Sequence, residues 1–351
     1  MSDKIPPKRF NLDKRRPSVL LFGNGMVRCF SRNPDWNRVI ESLAITGLDP
    51  EATGTFPYSI RATVTTDPDD VARRKAYIDF FENEYQYFPN PLISTLVDIP
   101  FDAFLTTNYT YELEYALKSN YPELKSKGGY AHVLDFVPEG IPLEETDRET
   151  RWDDFVLVGD ARGLRTFNRI SGRDIWHIHG EIRRFQSFIL THDEYGRLMG
   201  AILKYNRMRG KSVGAVLDVL NEDGSPRKKE INFCSWFDYF VYGDLYIIGQ
   251  GFDFSEFDLW WLMSRRQRAR NRLGSGRAVF FQPLAADGKL TSIEKALIAL
   301  GVEVEDCGIQ LGKNDSENGE VYQEFYKRAV LYLQRIISAP EEAPEDEIPG
   351  M

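Results

Sequence analysis

The sequence predicts an α/β protein: a parallel sheet with helices on both faces and a mainly helical insertion. Three observations carry this expectation. Short apolar runs alternate with helix-like segments, most cleanly from residue 244 onward. Four apolar runs end directly in a glycine or polar turn, the place where an open α/β sheet keeps its ligand. Hydrophobic residues at 42% and aromatics at 13% of 351 positions supply a large core. The arrangement is Rossmann-like, and the length suits one such domain with insertions.

Taken in order, residues 1–16 are basic and proline-containing and are expected to form an N-terminal arm. Ser18–Phe22 (SVLLF) is the first buried strand, with Gly23-Asn24-Gly25 as its turn. A mainly helical insertion is expected over about residues 35–95. Within it, residues 68–88 combine helix formers with Tyr77, Phe80, Phe81, Tyr85 and Phe88 at mixed spacings of three and four. Ala103-Phe104-Leu105 is a strand leading into the turn at Asn108, and Tyr111–Ser119 is the helix that follows. Between Gly128 and Arg173, short apolar pieces mix with a charged loop, PLEETDRETRWDD, which predicts irregular structure or a small insertion. Asp174–His179 and Ser187–Leu190 are expected as strands. A second mainly helical insertion covers about 193–240, helical from Asp193 to Leu220 with an exposed polar loop at Asn221–Lys229.

The alternation is cleanest at the end. Asp244–Ile248, Ala278–Gln282 and Val302–Asp306 are strands; Ser255–Arg272, Thr291–Leu300 and Glu320–Ser338 are helices. Residues 17–338 are thus expected to form one domain. The acidic, proline-rich stretch 339–351 predicts a disordered tail.

Charge and composition narrow the function. With 44 basic and 53 acidic residues the net charge is -9, which argues against general nucleic-acid binding. No apolar run is long enough for a membrane span and no secretory leader is evident, so a cytoplasmic protein is expected. Cys29, Cys234 and Cys307 are too few and too scattered for a disulfide framework or a four-cysteine zinc site. The four histidines, His132, His177, His179 and His192, offer no third ligand at a metal-binding spacing, so no metal is expected.

Four segments carry chemistry. Gly23-Asn24-Gly25-Met26 follows a strand and lets backbone amides approach a phosphate; it also fits a plain structural turn, since Met26-Val27-Arg28-Cys29 lacks the third glycine of a dinucleotide fingerprint. In Thr106-Thr107-Asn108-Tyr109 the carboxamide can donate and accept, and so can orient a ribose hydroxyl or a water; a helix cap or a left-handed turn residue is the alternative. His177 and His179 lie on one side of a strand. A metal pair competes there with a buried, hydrogen-bonded His177 beside a proton-transferring His179. Gly249-Gln250-Gly251-Phe252-Asp253 is the last turn, where Asp253 or Ser255 can meet a ribose or cap the next helix. Trp260 and Trp261 are expected in the core or an interface. The run Arg265, Arg266, Arg268, Arg270 and Arg272 reads as a solvated helix end or as an anion or partner site. No acidic residue follows the first turn in a strand-like context, Glu41 falling in a helix, which disfavours an ordinary dehydrogenase.

The four segments in this order resemble the Sir2 (sirtuin) superfamily, and most closely its bacterial defence-associated branch, which lacks the zinc ribbon and destroys NAD+. The resemblance implies NAD+ bound as substrate at the sheet edge. It implies Asn108 and His179 as catalytic residues, and Gly23, Asn24, Gly25, Met26, Thr107, Tyr109, Gly249, Gly251, Phe252 and Asp253 as its contacts. Met26 stands where relatives usually have a small residue, and Thr110 where this branch often has Asp. The implied reaction is hydrolysis to nicotinamide and ADP-ribose through an oxocarbenium-like ribose. A non-catalytic NAD+ or ADP-ribose sensor and a protein deacylase are the alternatives. Because free NAD+ hydrolysis kills a cell, the resemblance also implies control: a homo-oligomer working with a separately encoded partner, such as a HerA-type ATPase or another nucleotide-handling protein, in anti-phage abortive infection.

Overall fold

The computed structural model describes residues 8–30, 36–44, 57–84, 86–87, 90–119, 131–132, 148–150, 164–170, 173–181, 187–217, 230–273, 275–313 and 315–338. The expected tail, the loop at 221–229 and most of the charged loop lie outside these residues.

The strands, in chain order, are β1 (Lys8–Asn11), β2 (Ser18–Phe22), β3 (Gln86–Tyr87), β4 (Ala103–Thr106), β5 (Ala131–His132), β6 (Arg148–Thr150), β7 (Thr166–Ile170), β8 (Arg173–His177), β9 (Glu230–Phe233), β10 (Asp244–Ile248), β11 (Ala278–Phe281) and β12 (Glu303–Glu305). Eight of them form one sheet in the order β12-β11-β10-β2-β4-β8-β7-β6. The pairings from β12 through to β8 are parallel, and β7 and β6 extend that edge antiparallel. The sheet is therefore mostly parallel, flanked by helices and Rossmann-like.

Strand alternation divides the core in two, because successive side chains point to opposite faces. Leu20, Phe22, Phe104, Ile175, Ile248 and Phe281 pack on one face against the helices Asp70–Glu84, Pro91–Asp98, Glu112–Ser119 and Asp315–Ser338. Val19, Leu21, Leu105, Trp176, Ile247 and Phe280 pack on the other against His192–Leu217, Trp236–Tyr242, Phe257–Leu273 and Ser292–Ala299. The central strands β2, β4, β10 and β11 are mainly apolar because both their faces are covered.

Strand order also locates a reversal. From β2 the chain moves outward through β4 to β8, then returns to the other side of β2 as β10 and continues to β11 and β12. The switch point lies between β2 and β10, and an open α/β sheet has its crevice at the carboxyl ends of the strands there.

Several expectations need correction. Ser187–Leu190 is not a strand. Among the described residues only one backbone bond, from the Ile189 amide to the His179 carbonyl, is made there; the Ile189 carbonyl accepts from the Tyr109 hydroxyl and the Leu190 amide donates to Glu194. The stretch before Arg173 contains sheet strands rather than only irregular chain, because Phe167 packs 4.7 Å from Trp176 and draws β7 against β8. The strand expected over Asp174–His179 ends at His177, so His179 stands in the turn beyond it. Within the expected arm, β1 pairs antiparallel with β9.

The arginine run is not uniformly a solvated helix end. Arg266 is buried and donates to the carbonyls of Phe240, Gly243, Gly276 and Arg277, joining the helix to the chain on either side of β10. Arg265 bonds Asn206 and Arg268 is exposed. Trp260 and Trp261 are half-buried against the second core.

Candidate functional site

The carboxyl ends of β2, β4, β8 and β10 are stitched into one rim. The Gly23 amide donates to the Ile248 carbonyl at 2.9 Å and the Thr107 amide to the Phe22 carbonyl at 3.3 Å, while the Ile178 amide reaches the Thr106 carbonyl at 2.9 Å. Each bond carries the sheet ladder one step past the strands, so the four chemical segments leave the rim side by side.

The two glycine turns press on each other. The Gly25 amide donates to the Gly249 carbonyl at 2.7 Å, and a Cβ on Gly23 would fall 2.4 Å from that same oxygen. Gly249 has φ +71, in the left-handed region that glycine enters freely. Close approach of chain to chain thus accounts for these glycines. Gly251 differs: nothing lies within 4 Å of where its Cβ would be.

Above the rim lies a cavity of about 640 Å³, within the roughly 300–1,000 Å³ usual for small-molecule and cofactor sites. Asn108 and His179 both line it, as do Asn24, Gly25, Thr107, Tyr109, Gly249, Gly251 and Asp253. Gly23, Met26 and Phe252 are not among the lining residues. Met26 is buried in the first core and Phe252, at φ 53, in the second, because the apolar residue of each turn plugs the sheet behind it. Asp253 turns its carboxylate inward on its own loop, accepting from the Ser255 amide and hydroxyl.

Asn108 is fixed by its backbone and free at its side chain. Its amide donates to Thr106 Oγ1 at 3.0 Å and its carbonyl receives His177 Nδ1 at 2.8 Å. The residue is only 6% exposed, yet its Nδ2 finds no hydrogen-bond partner. An orphaned buried donor costs about 1–3 kcal/mol, which a ligand in the cavity would recover.

His179 is held by a residue the sequence did not single out. Its Nε2 lies 2.9 Å from Asp258 Oδ2, both side chains buried. Burial alone would lower the pKa of His179, but the Asp258 carboxylate outweighs it and raises it above the ordinary value, with Glu256 adding to the effect. With Asp258 accepting the Nε2 proton, neutral His179 has Nδ1 as its basic nitrogen. The Tyr195 ring stands edge-on to the imidazole at 5.4 Å, and burial pushes its phenol well up, so it is protonated at neutral pH.

A hydrogen-bonded strap closes the floor. Thr107 Oγ1 donates to Gln250 Oε1 at 3.0 Å, and Gln250 Nε2 reaches both Glu256 oxygens at 2.7 and 2.8 Å. Glu256 also accepts from the Asp253 amide. Desolvation pushes its carboxyl up to about 7, opposed by His179 and reinforced by Asp258. On the β11 side, Gln282, Ile293, Tyr322 and Tyr326 complete the wall, and Arg28 contributes a basic side chain. The carboxylates 256 and 258 sit just after a recognised glycine turn, and only their position in a Ser-Glu-Phe-Asp helix start hinted at them.

Among the described residues, no group of three or more His, Cys, Asp or Glu could hold a metal ion, and no helix is long and apolar enough to cross a membrane. His177 is paired with Asn108 and Glu114 and does not line the cavity.

Fold and site together define a doubly wound α/β protein with a cavity at its switch point, lined by both the Asn108 carboxamide and the His179 imidazole. Residues 102–220, about a third of the chain, match the family model of the SIR2-like domain. That segment carries Asn108 and His179, supports the likeness to the Sir2 superfamily and points to NAD+-related activity, since SIR2-like domains bind NAD+. No curated protein matches the chain.

Proposed function

We propose that this protein is an NAD+ glycohydrolase that cleaves NAD+ to nicotinamide and ADP-ribose. The observation that carries the reading is the convergence of an orphaned, buried Asn108 carboxamide and an Asp258-bound His179 on one cavity at the switch point.

In this reading the nicotinamide ribose lies on the β4 and β8 side, between Asn108 and His179. The diphosphate passes the open face of Gly251 near Arg28, and the adenosine extends toward Tyr322 and Gln282. The leaving group departs neutral from a cationic nicotinamide, so the barrier lies in forming the oxocarbenium-like ribose rather than in protonating the departing ring. Asn108 holds a ribose hydroxyl or the attacking water. His179 Nδ1 takes the proton that the attacking water or a ribose hydroxyl gives up, and Asp258 stabilises the imidazolium that results. Glu256, when ionised, adds negative charge to the wall beside the developing cation. Tyr195 and Leu190 help keep bulk water out.

Since uncontrolled hydrolysis would be lethal, we further propose that the chain works as a triggered defence effector in the cytoplasm. It does so as a homo-oligomer under a separately encoded regulatory partner, such as a HerA-type ATPase or another nucleotide-handling protein.

The test is NAD+ loss and nicotinamide release by the purified chain, with and without the product of the neighbouring gene, against Asn108→Ala and His179→Ala. The expected result is turnover that each substitution lowers by about 10²- to 10³-fold. Equal turnover in the Asn108 variant would overturn the reading. NAD+ binding without turnover, unaltered by either substitution, would instead indicate a sensor.

A further inference from the structure

Behind the turn that carries Asn108 lies a charged cluster outside the cavity. His177 ends β8 with its side chain 4% exposed, and both ring nitrogens are engaged: Nδ1 lies 2.8 Å from the Asn108 carbonyl and Nε2 lies 2.8 Å from Glu114 Oε1. Glu114, also 4% exposed, comes from the helix Glu112–Ser119. Asn168 on β7 donates to the same Glu114 oxygen at 3.0 Å and to Glu181 at 3.1 Å. The Tyr111 ring lies edge-on to the imidazole at 5.4 Å.

We propose that His177 is a positioning residue that locks the Asn108 turn as a doubly donating imidazolium, with one N–H on the Asn108 carbonyl and the other on Glu114. The role rests on the glycohydrolase reading, in which Asn108 touches substrate.

The argument is one of hydrogen-bond valence. A backbone carbonyl can only accept, and Glu114 Oε1 is already accepting from Asn168, so both atoms that face the ring are acceptors. A neutral imidazole has one N–H and would leave one of them facing a lone pair. The imidazolium satisfies both. Its charge is matched by the carboxylates Glu114 and Glu181, which outweigh burial and hold His177 up to about 9, with the bond to the Asn108 carbonyl adding to the effect.

The consequence for Asn108 is mechanical. Its amide is tied to Thr106 and its carbonyl to His177, so neither end of the residue can rotate and the carboxamide keeps its place in the cavity wall. Losing the His177 proton frees the carbonyl end. A displacement of about 1 Å at a catalytic group costs on the order of 100-fold in rate. Turnover should therefore fall along an alkaline limb set by His177, with substrate affinity held by the other walls of the cavity.

The experiment uses the full chain in two measurements. The first is ¹⁵N NMR of the histidine-labelled protein, whose four histidines give few imidazole signals. His177, assigned by its absence in His177→Gln, should show two protonated nitrogens at neutral pH. The second is NAD+ turnover against pH. His177→Gln should lose kcat roughly 100-fold with KM unchanged, and Glu114→Gln should move the alkaline limb of kcat toward neutral pH. If His177→Gln does not fold, wild-type NMR and Glu114→Gln decide the matter. A His177 ring with one protonated nitrogen at neutral pH, or an alkaline limb that Glu114→Gln leaves in place, overturns the proposal. Absence of NAD+ turnover in the parent protein, both alone and with the product of the neighbouring gene, with His177 doubly protonated, overturns the glycohydrolase reading and with it the catalytic role, while the clamp itself stands.

Discussion

Replacing Asp258 by Asn tests the core of the site with little change of shape. The carboxylate accepts the His179 Nε2 proton at 2.9 Å with both groups buried, so the substitution removes one charge-assisted hydrogen bond and nothing else of similar size. Such a bond contributes about 1.5–3 kcal/mol. If that stabilisation is felt when His179 takes its proton, kcat falls by about 10- to 150-fold. The pH dependence has a definite sign. Burial depresses the His179 pKa and Asp258 more than compensates, so the rise of turnover with pH in the parent is displaced upward from the ordinary histidine value. Without the carboxylate, burial acts with less opposition and the acid limb moves to lower pH. The assay is nicotinamide release from pH 5 to 9, with a thermal melt to establish that the variant is folded. A folded Asp258→Asn protein with the parent's kcat and an unmoved acid limb would refute the dyad.

Four further outcomes are expected. Gly23→Ala places a methyl 2.4 Å from the Gly249 carbonyl and should cost about 1–3 kcal/mol in a denaturant melt. Gly251→Ala, with open space around it, should leave stability unchanged and raise KM for NAD+. Arg266→Lys should destabilise by about 1–3 kcal/mol or more, because an ammonium cannot reach the four carbonyls that the guanidinium fork joins; an unchanged melting temperature would show the clamp to be idle. Stability should fall as pH rises from about 5 to 9. His177, held up to about 9, and Glu256, held up to about 7, each bind a proton more tightly folded than unfolded. The part above pH 7 should shrink in His177→Gln, leaving what His179 and Glu256 contribute there, and a melting temperature that climbs with pH across this range would contradict the assignment.

The parts of the fold legible in the sequence are those where local pattern and tertiary environment agree. SVLLF at Ser18–Phe22 and DLYII at Asp244–Ile248 are apolar at every position after the first, which a strand covered on both faces requires, and their boundaries are those expected. Thr291 and Glu294 form a capping box, so the helix Ser292–Ala299 was also readable from its first turn. Ser187–Leu190 was misleading for the opposite reason: its apolar residues face the core, but Tyr109 and Glu194, distant in sequence or reaching back from the next helix, take the backbone groups a ladder would need.

In the candidate site, the residue types that line the cavity were legible in the sequence. A carboxamide and an imidazole, each just past a buried strand, with glycine turns before and after them, pointed to the carboxyl edge of a parallel sheet, where the cavity lies. Only tertiary structure decided the rest. Glycines 23, 25 and 249 are explained by one turn lying against the other, an approach between residues far apart in the chain. Met26 and Phe252 belong to the core behind the site because side-chain direction depends on how the turn is seated. Asp258 reaches His179 across 79 positions, and Glu114 reaches His177 across 63. Charges that set a proton affinity act through space, in a medium whose polarity the fold itself creates, and one-dimensional spacing carries no record of either.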